Sequence, residues 1–433
     1  MDKTQEMLER WCLAPDVTFK SAEAEEAYKK RARRIADVVQ LKTPDRVPIT
    51  PSFGMFPALD NGYTCEDVFF DPKKSYTACM KTLAEFEPDT FRVRTQTGDA
   101  WEALDCRQLI LPGRGISPNS GMQYVESEYA TEEEFYDAFL EDPTDFMLRV
   151  HLPRVYGILE PLKDLPPIRD AYGYYTGLSG VLRAFGRPEI SGAFEKLSKA
   201  GAELMKWADF SREKSMQVLA MGFPTDFGGG SHAPFDMIGD FIRGTRGIML
   251  DMFRCPDKLI AAMERVVPML IKMGLNAKKT GNPFVSIPLH KGPEGFMSLE
   301  QYKTFYWPTL RKVMVGLIDE GLVPMPFFEG DNTSRLEIIK DIPKGKAAYR
   351  FESVDIYRAK EILGDTVCFR GNVPISLINT GTPEQIKAYV KELIDVVGKD
   401  GGLMVDSGSV IDEGKHENVR MMIEHTKEYG RYE

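Results

Sequence analysis

From about residue 220 onward the chain alternates short apolar runs with longer amphipathic stretches. The runs are Phe223 to Phe227, Phe284 to Leu289, Leu322 to Phe328, Ala347 to Phe351, Val367 to Arg370 and Leu403 to Val405. Runs this short, separated by segments long enough for helices, predict buried parallel strands joined by right-handed βαβ crossovers. Two helix starts are marked in the text itself. Ser298-Leu299-Glu300-Gln301 and Thr382-Pro383-Glu384-Gln385 each place a hydroxyl and a glutamine where they reciprocally satisfy the first free backbone donors of a helix.

The first half is less regular. Residues 1–44 read as a helical lead-in ending at Thr43-Pro44-Asp45, after which Arg46 to Pro51 predicts a first buried strand. Asp71-Pro72 supplies an N-cap and an N1 proline for a helix to about Glu87, and Asp89 to Arg94 predicts the next strand. Residues 95–165 hold a Pro/Gly loop, Leu111 to Gly115, and an acidic helix start at Thr131 to Glu134, and read as an insertion. The whole predicts an α/β protein, a (β/α)8 barrel over 45–433 interrupted at 95–165. An open doubly wound sheet is the competing architecture, but the one glycine-rich segment, Gly228-Gly229-Gly230-Ser231-His232, lacks the spacing of a dinucleotide fingerprint.

Composition narrows the function classes. With 65 acidic against 55 basic residues, the net charge of -10 over 433 residues repels nucleic-acid phosphates and anionic membranes. The basic run Lys29 to Arg34 follows acidic Glu23 to Glu26 on one helix and reads as a solvated face, a partner-docking patch being the alternative. Neither a signal-peptide pattern nor a membrane-length apolar stretch is visible, so a cytoplasmic protein is expected. Six scattered cysteines without a CxxC pair encode neither a disulfide framework nor a cysteine zinc site, and suit a reducing cell.

In a barrel the reacting groups stand at the carboxyl ends of strands. After the apolar runs come His232, His290, Glu329 with Asp331, Glu352, Arg370 with Asn372, and Asp406 with Ser407. Carboxylates and imidazoles gathered at one mouth suit a divalent metal or general acid/base work. Each has a structural reading as well: His290 as a loop or capping residue, and Glu352 and Asp406 as ion-pair partners of Arg350 or Arg370. Glu329, between Phe328 and Gly330, is costly there unless paired or metal-bound. The aromatics Phe327, Phe328, Tyr349, Tyr306 and Trp307 are core or a flat apolar pocket. The three glycines at 228–230 are a plain connection or a close backbone approach to a ligand.

Three stretches resemble the uroporphyrinogen decarboxylase superfamily, which includes cobalamin-dependent methyltransferases. They are Gly371-Asn372-Val373-Pro374 with Thr380-Gly381-Thr382-Pro383-Glu384, then Pro326 to Asp331 in the slot of the family's His-x-Cys-Gly-Asp, and near the start Arg46-Val47-Pro48, Ala58 to Gly62 and Asp71-Pro72. The resemblance implies a (β/α)8 barrel. True decarboxylases carry Arg-Gln-Ala-Gly-Arg after the first strand, where this chain has Ser52 to Ala58 with no arginine, and the late Gly-His-Gly is replaced by Asp406 to Val410. The zinc-binding His-x-Cys of thiol methyltransferases becomes Phe327 and Glu329.

These departures resemble the methyl-donor-side enzymes of corrinoid systems. The implied reaction takes a methyl group from a methoxylated, probably aromatic, compound to the cob(I)alamin of a separate corrinoid protein. Glu329, His290 and Asp406 are then the catalytic candidates, and Glu329, His290 and Glu352 the ligands of a zinc ion. Phe327, Phe328, Tyr349, Arg370, Asn372 and His232 are the substrate-contact candidates. The chain has no cobalamin-binding Asp-x-His-x-x-Gly of its own, so the corrinoid would be a visitor, and the resemblance implies a homodimer. Two other readings stand beside it: a decarboxylase of a small carboxylated substrate with Arg370 as the anion clamp, and a non-catalytic corrinoid- or porphyrin-binding barrel.

Overall fold

The computed structural model describes residues 2–172 and 175–432. A small antiparallel pair, β1 (Leu109–Ile110) and β2 (Gln123–Tyr124), lies in the expected insertion. The main sheet is parallel and runs in sequence order: β3 (Gly229–Gly230), β4 (Phe284–Leu289), β5 (Val323–Asp331), β6 (Ala348–Ser353), β7 (Cys368–Arg370) and β8 (Leu403–Met404).

Single hydrogen bonds carry this sheet past both of its edges. Thr50 N donates to the Val405 carbonyl at 2.9 Å, and Val405 N to that of Pro48 at 2.8 Å, setting 47–50 beside β8. Asp89 N then bonds Ile49 O at 2.9 Å, Phe91 N bonds Pro224 O at 3.0 Å, and Gly228 N bonds Phe284 O at 2.9 Å. The segments 47–50 and 89–94 therefore join β8 back to the strand that ends in β3, and the barrel closes. Its weak side has a chemical reason: Pro48, Pro51 and Pro224 offer no N–H, so a regular ladder cannot form there.

Strand alternation sorts the side chains. Val285, Ile287, Leu289, Phe328, Tyr349, Phe351, Phe369, Leu403 and Val405 point outward into the main core beneath the helices. Phe284, Val323, Met325, Ala348, Cys368 and Met404 point inward at the base, where they meet Leu8, Trp11, Cys12, Tyr28, Ala32 and Ile35 of the lead-in. The lead-in helices Lys3–Leu13 and Ala22–Val39 thus plug the bottom of the barrel. The basic run is not a wholly solvated face: Arg34 is buried and pairs with Asp45 at 2.6 Å and Asp89 at 2.5 Å, while Lys29, Lys30 and Arg33 pair with Glu25, Glu26 and Glu9.

The excursion between 94 and 223 contains the helix Glu132–Glu141 where the acidic N-terminus predicts one, and ends in the long helix Pro188–Ala220. Its residues 126–130 fold back onto the turn after β3, with Tyr129 N donating to Ile242 O at 2.8 Å. The glycine run is needed for packing. A Cβ at Gly228 would lie 2.3 Å from the Asn282 carbonyl, and one at Gly229 3.0 Å from Ala277. Among the described residues no helix is long and apolar enough to cross a membrane.

Candidate active site at the barrel mouth

The inward positions above the plug are polar. Parallel pairing of Leu289 with Phe328 sets His290 and Glu329 side by side at the ends of β4 and β5. His290 Nε2 lies 3.7 Å from Glu329 Oε1, and Nδ1 lies 2.6 Å from Asp240 Oδ2. A positive-φ glycine, Gly330, follows Glu329 at a bulge against β6, and its N–H donates to Glu352 Oε2 at 2.8 Å.

Asp240 comes from the π-helical turn Gly239–Arg243, outside any strand end. Its second oxygen is 2.9 Å from Nζ of Lys291, a buried lysine that also donates to Thr245 Oγ1 at 2.6 Å and Glu126 Oε2 at 3.3 Å. Asp236, one helical turn earlier and fully buried, accepts from His290 N at 2.9 Å, Lys291 N at 3.1 Å and the Tyr306 hydroxyl at 2.6 Å. Two aspartates four residues apart thus hold the backbone and the ring of His290 together.

The electrostatics follow from this arrangement. The hydrogen bond to Asp240, outweighing burial, holds the His290 pKa up at about 9, so the imidazole is a cation at neutral pH. Burial pushes Asp236 up to about 6 and raises Glu329 as well, His290 working against the latter shift. Burial lowers His232, whose Nδ1 has no partner and whose ring meets the edge of Phe241 at 5.5 Å. The mouth therefore offers a fixed imidazolium beside a carboxylate of raised pKa, a proton donor with an adjacent acceptor.

Other expected residues fall elsewhere. Phe328 and Tyr349 are corrected: both point outward, fully buried, and the Tyr349 hydroxyl donates to Ile339 O at 2.8 Å, so neither faces the mouth. Phe327 does point inward, beneath the Arg350 guanidinium at 4.5 Å. Asp406 is fully buried and saturated by Ser52 N and Oγ, Ser407 N and Oγ, and Arg370 Nε at 2.9 Å, a structural clasp across the closing strands. Arg370 spends its Nη2 on Thr50 O and Ser52 Oγ, which leaves it poorly placed as an anion clamp. Asn372 accepts from the Tyr389 hydroxyl at 3.1 Å.

The expected zinc set does not converge. His290 and Glu329 supply two donor atoms, one fewer than a catalytic zinc site takes from protein, and Glu352 is turned to Gly330. Among the described residues, three ligand-type atoms gather only at Asp60, Glu85 and His416 and at Glu132, Asp251 and Cys255. In the first group Arg420 bonds Glu85 and lies 3.0 Å from His416 Nε2, where a metal would sit. In the second Arg243 neutralises Asp251, and the Cys255 thiol is pushed up to about 12 by burial. A groove lined by Glu25, Lys29, Arg33 and Asp45 belongs to the lead-in and not to the mouth.

Comparisons with known proteins agree with the fold. The family model described as Uroporphyrinogen decarboxylase (URO-D) matches residues 214–429. Among solved structures a methyltransferase from Methanosarcina mazei superposes with a TM-score of 0.57 at 14% identity, over 92% of this chain and 98% of that one. No curated protein sequence matches.

Proposed function

We propose, for a chain whose residues 214–429 match the uroporphyrinogen decarboxylase family model, that its barrel mouth demethylates a methoxylated compound, the methyl group passing to the cob(I)alamin of a separate corrinoid protein. The observation that carries this reading is the His290 imidazolium, fixed by Asp240 and facing Glu329. An ether oxygen is a poor leaving group because it departs as an alkoxide or phenolate. A proton donor at that oxygen lowers the barrier.

Cob(I)alamin, when its carrier docks, supplies the nucleophile that takes the methyl group. This chain's residues do the rest. His290 donates its Nε2 proton to the departing oxygen as the carbon–oxygen bond breaks, giving the free alcohol or phenol and a neutral imidazole. Asp240 keeps Nδ1 protonated throughout, so Nε2 is the atom that discharges and recharges. Glu329, 3.7 Å away, orients the ring and returns a proton from solvent. With two donor atoms in place of three, proton donation fits this site better than a zinc ion does.

The test is methylation of free cob(I)alamin by methoxybenzene, followed by the absorbance change of the corrinoid, in wild type and His290→Gln. The wild type is expected to transfer and the variant to lose the reaction by about 10²–10⁴-fold, the range of general acid catalysis. Absence of transfer from any methoxylated compound, or release of carbon dioxide from a carboxylated one without cobalamin, refutes the reading in favour of a decarboxylase.

A further inference from the structure

One cation at the mouth has no ion-pair partner among the described residues. Arg94 ends the segment 89–94, and Phe91 and Val93 pack outward among Cys79, Leu83, Val218 and Phe223. Alternation therefore turns Arg94 to the opposite side of the strand, toward the barrel, where it is half-buried, while Arg92 stays exposed. The Arg94 Nε–H is closed off from solvent without a hydrogen-bond partner. Its guanidinium forms no ion pair among the described residues, although it feels the charges of Arg92, Asp412 and Asp226.

Two neighbours are only loosely paired. Asp226 Oδ1 is also buried without a partner, its other oxygen lying 3.6 Å from Arg370. Arg350, which feels the same Asp226, has only the Ser407 carbonyl at 3.2 and 3.4 Å and Asp406 at 3.5 Å. Buried charged donors left unmade are costly, and a fold keeps them where a ligand completes them. Asp406 is held mainly by Arg370 and the serines and reaches Arg350 only at 3.5 Å.

We propose that Arg94, with Arg350 as the second cation of the same interior, binds a carboxylate carried by the ligand of this mouth. A carboxylate matches the planar fork of a guanidinium, and a monoanion offsets one unpaired cation. A phosphate dianion would be repelled by Asp226 and Asp412. This inference deepens the proposed function by giving its substrate an anionic group, and rests on the mouth being the ligand site. It does not require methyl transfer.

The experiment is titration calorimetry of the full chain, without corrinoid, using benzoate and inorganic phosphate as probes on wild type, Arg94→Gln and Arg94→Lys. Benzoate is expected to saturate the wild type, to bind at least about tenfold more weakly to Arg94→Gln, and to recover in part in Arg94→Lys. Thermal melting without ligand is expected to leave Arg94→Gln as stable as wild type, because the half-buried guanidinium makes no ion pair among the described residues that the change would break. Equal benzoate binding by Arg94→Gln, no benzoate binding by the wild type, or binding of phosphate alone overturns the proposal. So does a lower melting temperature for Arg94→Gln, which marks a structural arginine. Methyl transfer from neutral methoxybenzene is read separately, so failure of the carboxylate site and failure of the methyltransferase reading are distinguishable.

Discussion

Asp240 controls the charge of His290, and replacing it tests the chemistry of the site without removing the imidazole. In Asp240→Asn the carboxylate that raises His290 from its usual 6.5 to about 9 is lost, while an amide oxygen of the same size remains. At a pH of about 7.5 the imidazole goes from roughly 97% protonated to roughly 9%, a tenfold loss of the acid form, if the pKa returns fully to its usual value. Asp240 is the largest cause of the shift, but Asp236 and Glu329 also support the cation, so the return falls somewhat short. Imidazole NMR is the direct assay, since the chain has five histidines and each can be followed through a titration. The expected result is a His290 midpoint near 9 in wild type and at least one unit lower in Asp240→Asn, with the alkaline limb of any pH–rate profile moving with it. The same pair contributes to stability: because the folded pKa lies above the unfolded one, its contribution is complete below about 6.5 and is lost as pH rises through about 9. A wild-type midpoint near 6.5, or one that Asp240→Asn leaves in place, refutes the reasoning.

Three further perturbations separate the plug, the clasp and the mouth. Trp11→Ala removes a buried ring set edge-on to Phe284 at 5.1 Å and should lower stability by about 3–5 kcal/mol in urea unfolding; a loss below about 1 kcal/mol means the lead-in is a dispensable cover. Asp406→Ala leaves the buried Arg370 guanidinium uncompensated and should cost about 3–5 kcal/mol by the same measurement, whereas a stable but inactive variant would return Asp406 to the catalytic candidates. Glu329→Gln removes a carboxylate whose neighbour is His290, so the His290 midpoint should fall, by less than in Asp240→Asn; an unchanged midpoint separates the two groups electrically.

The barrel and its mouth were legible for a simple reason: short apolar runs with polar ends are a one-dimensional pattern, and His290 and Glu329 stand directly at such ends. Side was harder to read than position. Phe327 and Phe328 are adjacent in sequence, yet alternation sends one inward and the other under the helices, and only the register against β4 and β6 decides which. Asp240 and Lys291 were missed because neither looks special alone. Asp240 sits on a π-turn, and Lys291 is ordinary until it is seen buried beneath Glu126 and Thr245. One signal was present in the text, the spacing of Asp236 and Asp240 just after the third strand, which puts two carboxylates on one helical face pointing back at the mouth. The three-glycine run drew attention to the wrong cause, since it answers to Asn282 and Ala277.

The excursion between strands is more than an ornament on the barrel. Glu126 takes hydrogen bonds from Lys291 and from Thr245, Glu128 pairs with Arg243 at 2.6 Å, and Arg243 also bonds the Ala130 carbonyl and Asp251. These contacts fall on the turn that carries Asp240, on Thr245 just after it, or on the lysine that holds it. Asp240, whose hydrogen bond raises His290, is thus tied to the excursion through Lys291. Glu126→Gln, which weakens the link to Lys291, is therefore expected to lower the His290 midpoint by less than Asp240→Asn does; an unchanged midpoint in the same imidazole titration refutes the link.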